Sequence, residues 1–434
     1  MWFARPTSLP IGLDCGTRGA RLVQLRIDAD EPLVIASTRA LWPEEIRAQI
    51  AAERRVRPAL IAPALSRMLS QGEFLGREIA ISLPREMVRV KNLRLPTMPL
   101  DDLLQAAQME ATAMFNVTND EARVEVIPAG EVRHGGDSKS EVIAVCALNA
   151  DIDGLVEEWH RCGFRLASID FEPAALYRSV ERFIRRRDDE AEVNVLVDVS
   201  NRRTTVLIGR GRELSFHKSI EIGGAMLTHA VSRKLGISMA DADTLRIRLA
   251  DTFDQVRTIG SDPVRQAVVD SVRPIIEELA RELALCLRYF SVNFRGQRPS
   301  RVRLVGGEAS DPTLAQLLGN ALPVPIESAK PIANADMSRM RAADRNTRLG
   351  EFTHAFGLAL KFTKGNFADR SGNARGIQAV EAQRQDRVGD APATGVINLS
   401  DADLEATASA FRVERPVPVA ALQTAAPAAG GDHA

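Results

Sequence analysis

The sequence predicts an α/β protein built as two similar lobes that face each other across a cleft. Three observations lead there. Val193 to Ile208 is a β-branched run ending in Asp198, a short polar turn, and a second run from Thr204, which is the pattern of a buried hairpin with a carboxylate at its bend. Ile11 to Leu25 follows the same plan, with Asp14 in the place of Asp198. Helical stretches such as Pro58 to Leu69, Leu100 to Phe115 and Pro263 to Phe294 lie between and beyond these runs. Two copies of one strand-turn-strand unit imply a duplicated chain with two opposed acidic turns.

Bulk properties narrow the function classes. A chain of 434 residues has room for about two to four domains and buries enough surface to need no disulfide or metal staple. With 26% charged residues and a net charge of −1, it carries no clustered basic face of the kind nucleic acid requires. Arg185-Arg186-Arg187 is answered at once by Asp188-Asp189-Glu190, and Arg202-Arg203 reads as turn or solvated surface. Cys15, Cys146, Cys162 and Cys286 are widely spaced, with no Cys-x-x-Cys pair, and read as free thiols of a reducing compartment. No run approaches the roughly 18 apolar residues of a spanning helix, and the N-terminus lacks a signal-peptide core. The expected location is cytoplasmic, with the membrane reached only through a partner.

Taken in order, residues 1–77 form the first part of the first lobe: a disordered start, strand Ile11–Asp14, the turn Cys15–Gly19, strand Ala20–Ile27 and a helix over Pro58–Leu69. Gly16 and Gly19 let backbone approach a ligand, and the turn amides with the Thr17 hydroxyl suit phosphate oxygens. Residues 78–170 read as an inserted α+β subdomain. In it Ile79–Leu83 and Met87–Leu95 look like paired strands around Pro84-Arg85, and Gly130–Ser140 like a polar loop between strands. Residues 171–192 return to the first lobe through the helix opened by Glu172-Pro173, whose small residues Ala174 and Ala175 permit a close helix crossing. Residues 193–362 are the second lobe: the central hairpin, Gly223-Gly224 at a strand-to-helix junction suited to an anion, mostly helix over 237–294, and strand Val302–Val305 feeding Gly306-Gly307. An edge strand at Pro323–Ile326 and a helix at Phe352–Leu360 with Ala355 and Gly357 close the lobe. Residues 363–434 shift to Gly, Asn, Ala, Gln and Pro and read as a disordered tail.

Five elements thus stand in fixed order: Asp14-Cys15-Gly16-Thr17, Glu172-Pro173, Asp198 with Thr204, Gly306-Gly307, and Ala355 with Gly357. That order resembles the phosphate-one, first-connector, phosphate-two, adenosine and second-connector motifs of the actin-like ATPase superfamily. With the insertion at 78–170, the stretch Ile220–Thr228 and the ending Arg301–Glu327, it most resembles the PilM-type type IV pilus assembly proteins, which are related to FtsA. The resemblance covers roughly residues 9–362.

The resemblance implies an actin-like two-lobe fold of duplicated RNase H-like domains, with ATP and Mg2+ in the cleft. By position Asp14 and Asp198 would hold the metal, Gly16, Thr17, Arg18, Ser200 and Asn201 would meet phosphates, Gly223 and Gly224 would lie beside them, and Gly306 with Gly307 would flank adenosine. It also implies a cytoplasmic scaffold peripheral to the inner membrane, homo-oligomeric or ring-forming, among other pilus alignment-complex proteins. Its principal partner would be a PilN-type membrane protein, whose short cytoplasmic peptide docks in a groove beside the insertion. Ser200 stands where the family has glycine, and Ala225 where it has an acid, so nucleotide binding is expected to be weakened and turnover more so. Ile397-Asn398-Leu399 resembles the core of that peptide, which points to a tail able to reach the groove. The alternative readings are an active actin-like ATPase and an FtsA-like cell-division protein.

Overall fold

The computed structural model describes residues 8–363, apart from 29–30, 135–136, 185–186, 253–262, 295–297, 341–344 and 346–347. The expectations for residues 1–7 and for the tail, Ile397-Asn398-Leu399 included, lie outside the described residues.

The chain begins with β1 (Ile11–Cys15), β2 (Gly19–Asp28), β3 (Glu31–Leu41), α1 (Glu44–Glu53), α2 (Pro58–Gln71) and β4 (Glu78–Ser82). It continues through β5 (Arg89–Pro96), α3 (Leu100–Phe115), β6 (Ala122–His134), β7 (Asp137–Leu148), α4 (Asn149–Arg161), β8 (Arg165–Asp170), α5 (Glu172–Glu181) and α6 (Arg187–Ala191). The second half holds β9 (Val193–Val199), β10 (Thr204–Arg210), β11 (Glu213–Ile220), α7 (Gly224–Leu235), α8 (Met239–Asp251) and α9 (Pro263–Asn293). β12 (Val302–Val305), α10 (Pro312–Ala321), β13 (Ile326–Ser328) and α11 (Thr353–Ala359) complete it.

The strands form two sheets of identical plan, β3-β2-β1-β4-β8 and β11-β10-β9-β12-β13, plus a separate three-stranded sheet β5-β7-β6. In each large sheet three strands meander antiparallel and two more add in parallel beyond the central acidic strand. β9 is buried along its whole length, Asn194 and Asp198 included, as a Val/Leu-rich strand in a covered sheet should be. Asp14 and Asp198 sit near the C-terminal ends of the central strands β1 and β9, so the duplication read from the hairpins extends to whole sheets.

Three local expectations change. Ile79–Leu83 and Met87–Leu95 do not pair with each other: β4 is hydrogen-bonded between β1 and β8, whereas β5 pairs with β7. Ile79, Ala80 and Ile81 are consecutively buried, the mark of an interior parallel strand, and Pro84 with the turn Arg85–Met87 leads the chain out to the other sheet. Both ends of the 78–170 span therefore belong to the first sheet, and the separate sheet with α3 against one face occupies 89–148. The stretch 130–140 is mostly ladder, with β6 and β7 paired out to His134 and Asp137. Backbone pairing needs no apolar side chains on a ribbon's wet end, so its polarity disguised it. β3 and β11, which the sequence reading had not separated out, complete the two meanders.

Two helices tie the lobes together. α5 follows the last strand of the first sheet yet packs on β10 and β11, and α11 near the chain's end packs on β1, β2 and β4. They cross where side chains are missing: a Cβ on Gly357 would lie 1.8 Å from the Ala175 carbonyl oxygen, and one on Gly12 would lie 1.9 Å from that of Ala355. The small residues foreseen in both helices make this close crossing possible.

Candidate functional site

The ends of β1 and β9 open into a cleft of about 310 Å³. Its first wall is the turn after Asp14. Gly16 N–H donates to the Gly19 carbonyl at 2.9 Å, while Trp42 donates its indole N–H to the Gly16 carbonyl at 2.9 Å and its backbone N–H to the Arg18 carbonyl at 2.8 Å. The opposite wall is the turn after Asp198, closed by Ser200 N–H on the Arg203 carbonyl at 3.0 Å. The two turns touch: Asn201 Nδ2 donates to the Thr17 hydroxyl oxygen at 2.9 Å. Arg18 also reaches over, pairing with Asp243 at 2.5 Å and lying 3.7 Å from Glu308.

Three carboxylates converge at the base, and each has a different partner. Asp14 accepts from His354 Nδ1 at 3.1 Å, and the other ring nitrogen, Nε2, lies 2.7 Å from Ser82 Oγ. Burial opposes charge on this imidazole, but Asp14, Glu172 and Asp198 around it override that and lift its pKa to about 9. At neutral pH both ring nitrogens therefore carry protons, so the Ser82–His354–Asp14 line has no free base to activate the serine. Glu172 accepts from Arg203 at 2.9 Å and from Thr205 Oγ1 at 3.1 Å. Burial works against its charge too, yet Arg203, His354 and the two hydrogen bonds hold it at about 2. Asp198 accepts from the Ser200 hydroxyl at 2.8 Å; burial first, then the neighbouring Glu172 and Asp14, push it up to about 7.

Gly306 closes this base from the second lobe. Its φ of 91° lies in the left-handed region, and a Cβ there would stand 2.4 Å from Asp198 Oδ1. Gly307 follows and lines the cleft with Glu308. Gly223 and Gly224 behave otherwise than expected. The amides of Gly224 and Ala225 donate to the carbonyls of Ser200 at 3.0 Å and Asn201 at 2.8 Å, so these helix-start donors brace the second turn instead of facing an anion. The space beside Gly224 is filled by Glu308, which takes Arg246 at 2.6 Å; Arg246 donates in addition to Thr228 at 3.0 Å.

All eleven residues singled out from the sequence are thus close to one cleft, but the groups expected to hold Mg2+ and phosphate are engaged within the chain. The ring of His354 stands on Asp14, and among the described residues no three or more His, Cys, Asp and Glu side chains are grouped to hold a metal ion. Asp14 and Asp198 as arranged do not fit a hydrated Mg2+, which needs an open octahedron of oxygens. Nor does Ser200 adopt the dihedrals that only glycine permits: among the described residues other than glycine, positive φ occurs only at Arg54 and Asn116.

The sequence reading missed His354, Ser82, Glu351 and Arg203 in this role. Arg203, read as surface, is the partner of Glu172, and Glu351 takes Arg21 at 2.9 Å and Arg39 at 3.1 Å. The small-residue helix around Ala355 was the one signal near His354.

Comparison with known proteins bears on both fold and family. The family model described as "Type IV pilus assembly protein PilM" matches residues 12–363. Among solved structures, the "PilM-PilN type IV pilus biogenesis complex" is similar at a TM-score of 0.64 and 20% identity, over 82% of this chain and 98% of that one. The ethanolamine utilization protein EutJ from Carboxydothermus hydrogenoformans is more remote, at a TM-score of 0.46 and 13% identity over 82% and 90% of the two chains. Among curated proteins, the cell division protein FtsA of Bacillus subtilis (strain 168) is 21% identical over 249 residues, which is 51% of this chain and 55% of FtsA. The chain thus spans about half the length of this relative. The fold is the mixed α/β, actin-like two-lobe fold, and with a match across almost every described residue the chain belongs to the type IV pilus assembly protein PilM family.

Proposed function

We propose that this protein is a cytoplasmic scaffold of the type IV pilus inner-membrane assembly complex, and that it docks the cytoplasmic N-terminal peptide of a PilN-type membrane partner. The observation that carries this reading is the extent of the family match, residues 12–363, together with a fold that covers 98% of the chain compared in the PilM-PilN complex. Among the described residues no helix is long and apolar enough to cross a membrane. In this reading the anchored partner supplies the membrane attachment, and copies of the chain assemble with one another and with further alignment-complex proteins.

In this reading the peptide groove lies within residues 78–170, at the contact of the three-stranded sheet and α4 with the first lobe. The side chains of Ile143, Val145 and Ala147 on β7, and of Leu155 and Trp159 on α4, share one apolar core with Leu83 and Ile61 of that lobe. A peptide seated at this junction would bear on the cleft from the first-lobe side, because Leu155 and Trp159 also line the cleft. The cleft itself acts mainly as a structural joint: Thr17 and Arg18, the residues that would meet phosphate, are bonded to Asn201 and Asp243. ATP occupancy is therefore weak in this reading, and hydrolysis plays no part in the scaffold's role.

Isothermal titration of the full chain with the N-terminal peptide of a PilN-type protein tests it. Saturable binding of one peptide per chain is expected, with the same affinity with and without ATP. Absence of peptide binding, or steady phosphate release from ATP, overturns the reading.

A further inference from the structure

The acidic centre of this cleft already contains its own cations. His354 is wedged between Asp14 and Ser82, with one ring nitrogen on each. Glu172 is held by Arg203, and Arg21 lies beside Asp14 and Asp198 while donating to Glu351. Asp198 is satisfied from within by the Ser200 hydroxyl and abutted by the Gly306 backbone. We propose that His354 occupies the place of a divalent cation in this cleft: its ring is seated on Asp14 and Ser82 while Asp198 is tied to Ser200 and abutted by Gly306, so the two acidic strand ends have no room to share a metal ion.

The physical argument is one of space and ligands. Mg2+ and Mn2+ require about six oxygens in near-octahedral array and keep several waters among them. An imidazole fixed at hydrogen-bond distance on Asp14 removes a carboxylate oxygen from that array and occupies volume that first-shell waters would need. Ser82 locks the ring from its far side, so it does not simply swing away. Because α11 packs on β1 and β4, the same two contacts of His354 fasten this helix to the first sheet. Any polyphosphate that enters meets Arg18, Arg21, Arg54, Arg202, Arg203 and Arg348, which line the same space, as its counter-charge.

Mn2+ alone, followed by electron paramagnetic resonance on the full chain without nucleotide, is the test. Because the probe is the metal, its outcome is independent of whether the chain docks a PilN-type peptide. The wild-type protein is expected to show no stoichiometric Mn2+ site. His354→Ala is expected to gain one, at least about tenfold tighter than any residual binding to wild type, and Asp198→Asn in the same background is expected to abolish it. His354→Asn, which keeps a polar side chain of smaller volume, is measured beside it, with near-UV circular dichroism confirming that each variant is folded. Stoichiometric Mn2+ binding by the wild type that is lost in Asp14→Asn overturns the proposal, whatever the folding of the other variants. A folded His354 variant that gains no Mn2+ overturns it equally, since something other than the histidine would then exclude the ion.

Discussion

The two lobes share one sheet plan and differ in what meets the central acidic strand. β1 and β9 superimpose in sequence, Gly12 to Leu196, Asp14 to Asp198, Gly16 to Ser200 and Thr17 to Asn201, and each sits third in a five-stranded sheet of the same order. In the first lobe the strand gives up a side chain at Gly12 to admit α11, and that helix brings His354 onto Asp14. In the second lobe Leu196 keeps its side chain within the shared apolar core, and the side-chain hydrogen bond to Asp198 comes from the neutral hydroxyl of Ser200. Equal backbones thus place two equal carboxylates in unequal electrostatic settings. One is the anchor of an ion pair, and the other is held in a site that favours its neutral form.

The largest expected effect comes from removing the first lobe's distinguishing feature. Gly12→Ala sets a methyl group 1.9 Å from a backbone oxygen, a clash that no rotamer relieves, so helix and strand must separate. We expect a loss of more than about 3 kcal/mol, seen as a lower urea midpoint or as insoluble protein. Wild-type stability in Gly12→Ala would mean that α11 does not bear on β1 as closely as described.

Asparagine in place of each equivalent aspartate gives the next contrast, and the two signs differ. Asp14→Asn leaves buried His354 without its closest counter-ion and is expected to cost about 3 kcal/mol. Asp198→Asn mimics the neutral form that burial and the adjacent Glu172 and Asp14 already favour, so at pH 8 it is expected to stabilise by about 1 kcal/mol. Urea unfolding of both variants at that pH measures the pair. Equal destabilisation would show that the two carboxylates are not in different settings after all.

How much of this was legible in the sequence follows from the range of each contact. The two hairpins were visible because their pairing is local: Val199 meets Thr204 across a four-residue turn. Gly306 was visible because its motif follows a short apolar strand. By contrast, Asp14 and His354 are 340 residues apart, and Ser82 and His354 272, so nothing in either neighbourhood announces the meeting. β4 and β5 were misassigned for the same reason, since their partners β1, β8 and β7 are chosen by packing far along the chain and not by the turn between them. Arg203 looked like surface because a charged residue in a polar turn between two strands usually is, and Glu172, 31 residues earlier, gives it its role.

The pH dependence sharpens the comparison further. A histidine raised from its ordinary value of 6.5 to about 9 contributes stability that is complete below the lower value and lost as pH rises through the upper one. Asp198, raised from 3.8 to about 7, acts in the same sense at lower pH, its share fading as pH climbs to neutrality. Glu172 has the opposite sign: lowered from 4.5 to about 2, its share is present above 4.5 and lost as the solution is acidified through 2. The chain should therefore lose about 2 kcal/mol between roughly pH 7 and 9.5 through His354 alone. Urea midpoints across that range, wild type against His354→Gln, check it. A slope that persists in the variant assigns the alkaline loss to another group.

The smallest effect tests the second lobe's own peculiarity. Ser200 differs from its counterpart Gly16 by a hydroxymethyl group, and that hydroxyl is the donor to Asp198 at 2.8 Å. Removing it with Ser200→Gly withdraws a bond that lowers the Asp198 pKa and adds freedom to the unfolded chain, so we expect a loss of about 1 kcal/mol and a further rise in that pKa. We expect no gain in ATP affinity by isothermal titration. Ser200 adopts no left-handed backbone that glycine would relieve, and the phosphate-facing side chains remain tied across the cleft, Thr17 to Asn201 and Arg18 to Asp243. A tenfold gain, about 1.4 kcal/mol, would instead make the serine the obstacle and the ties between the two turns a secondary closure.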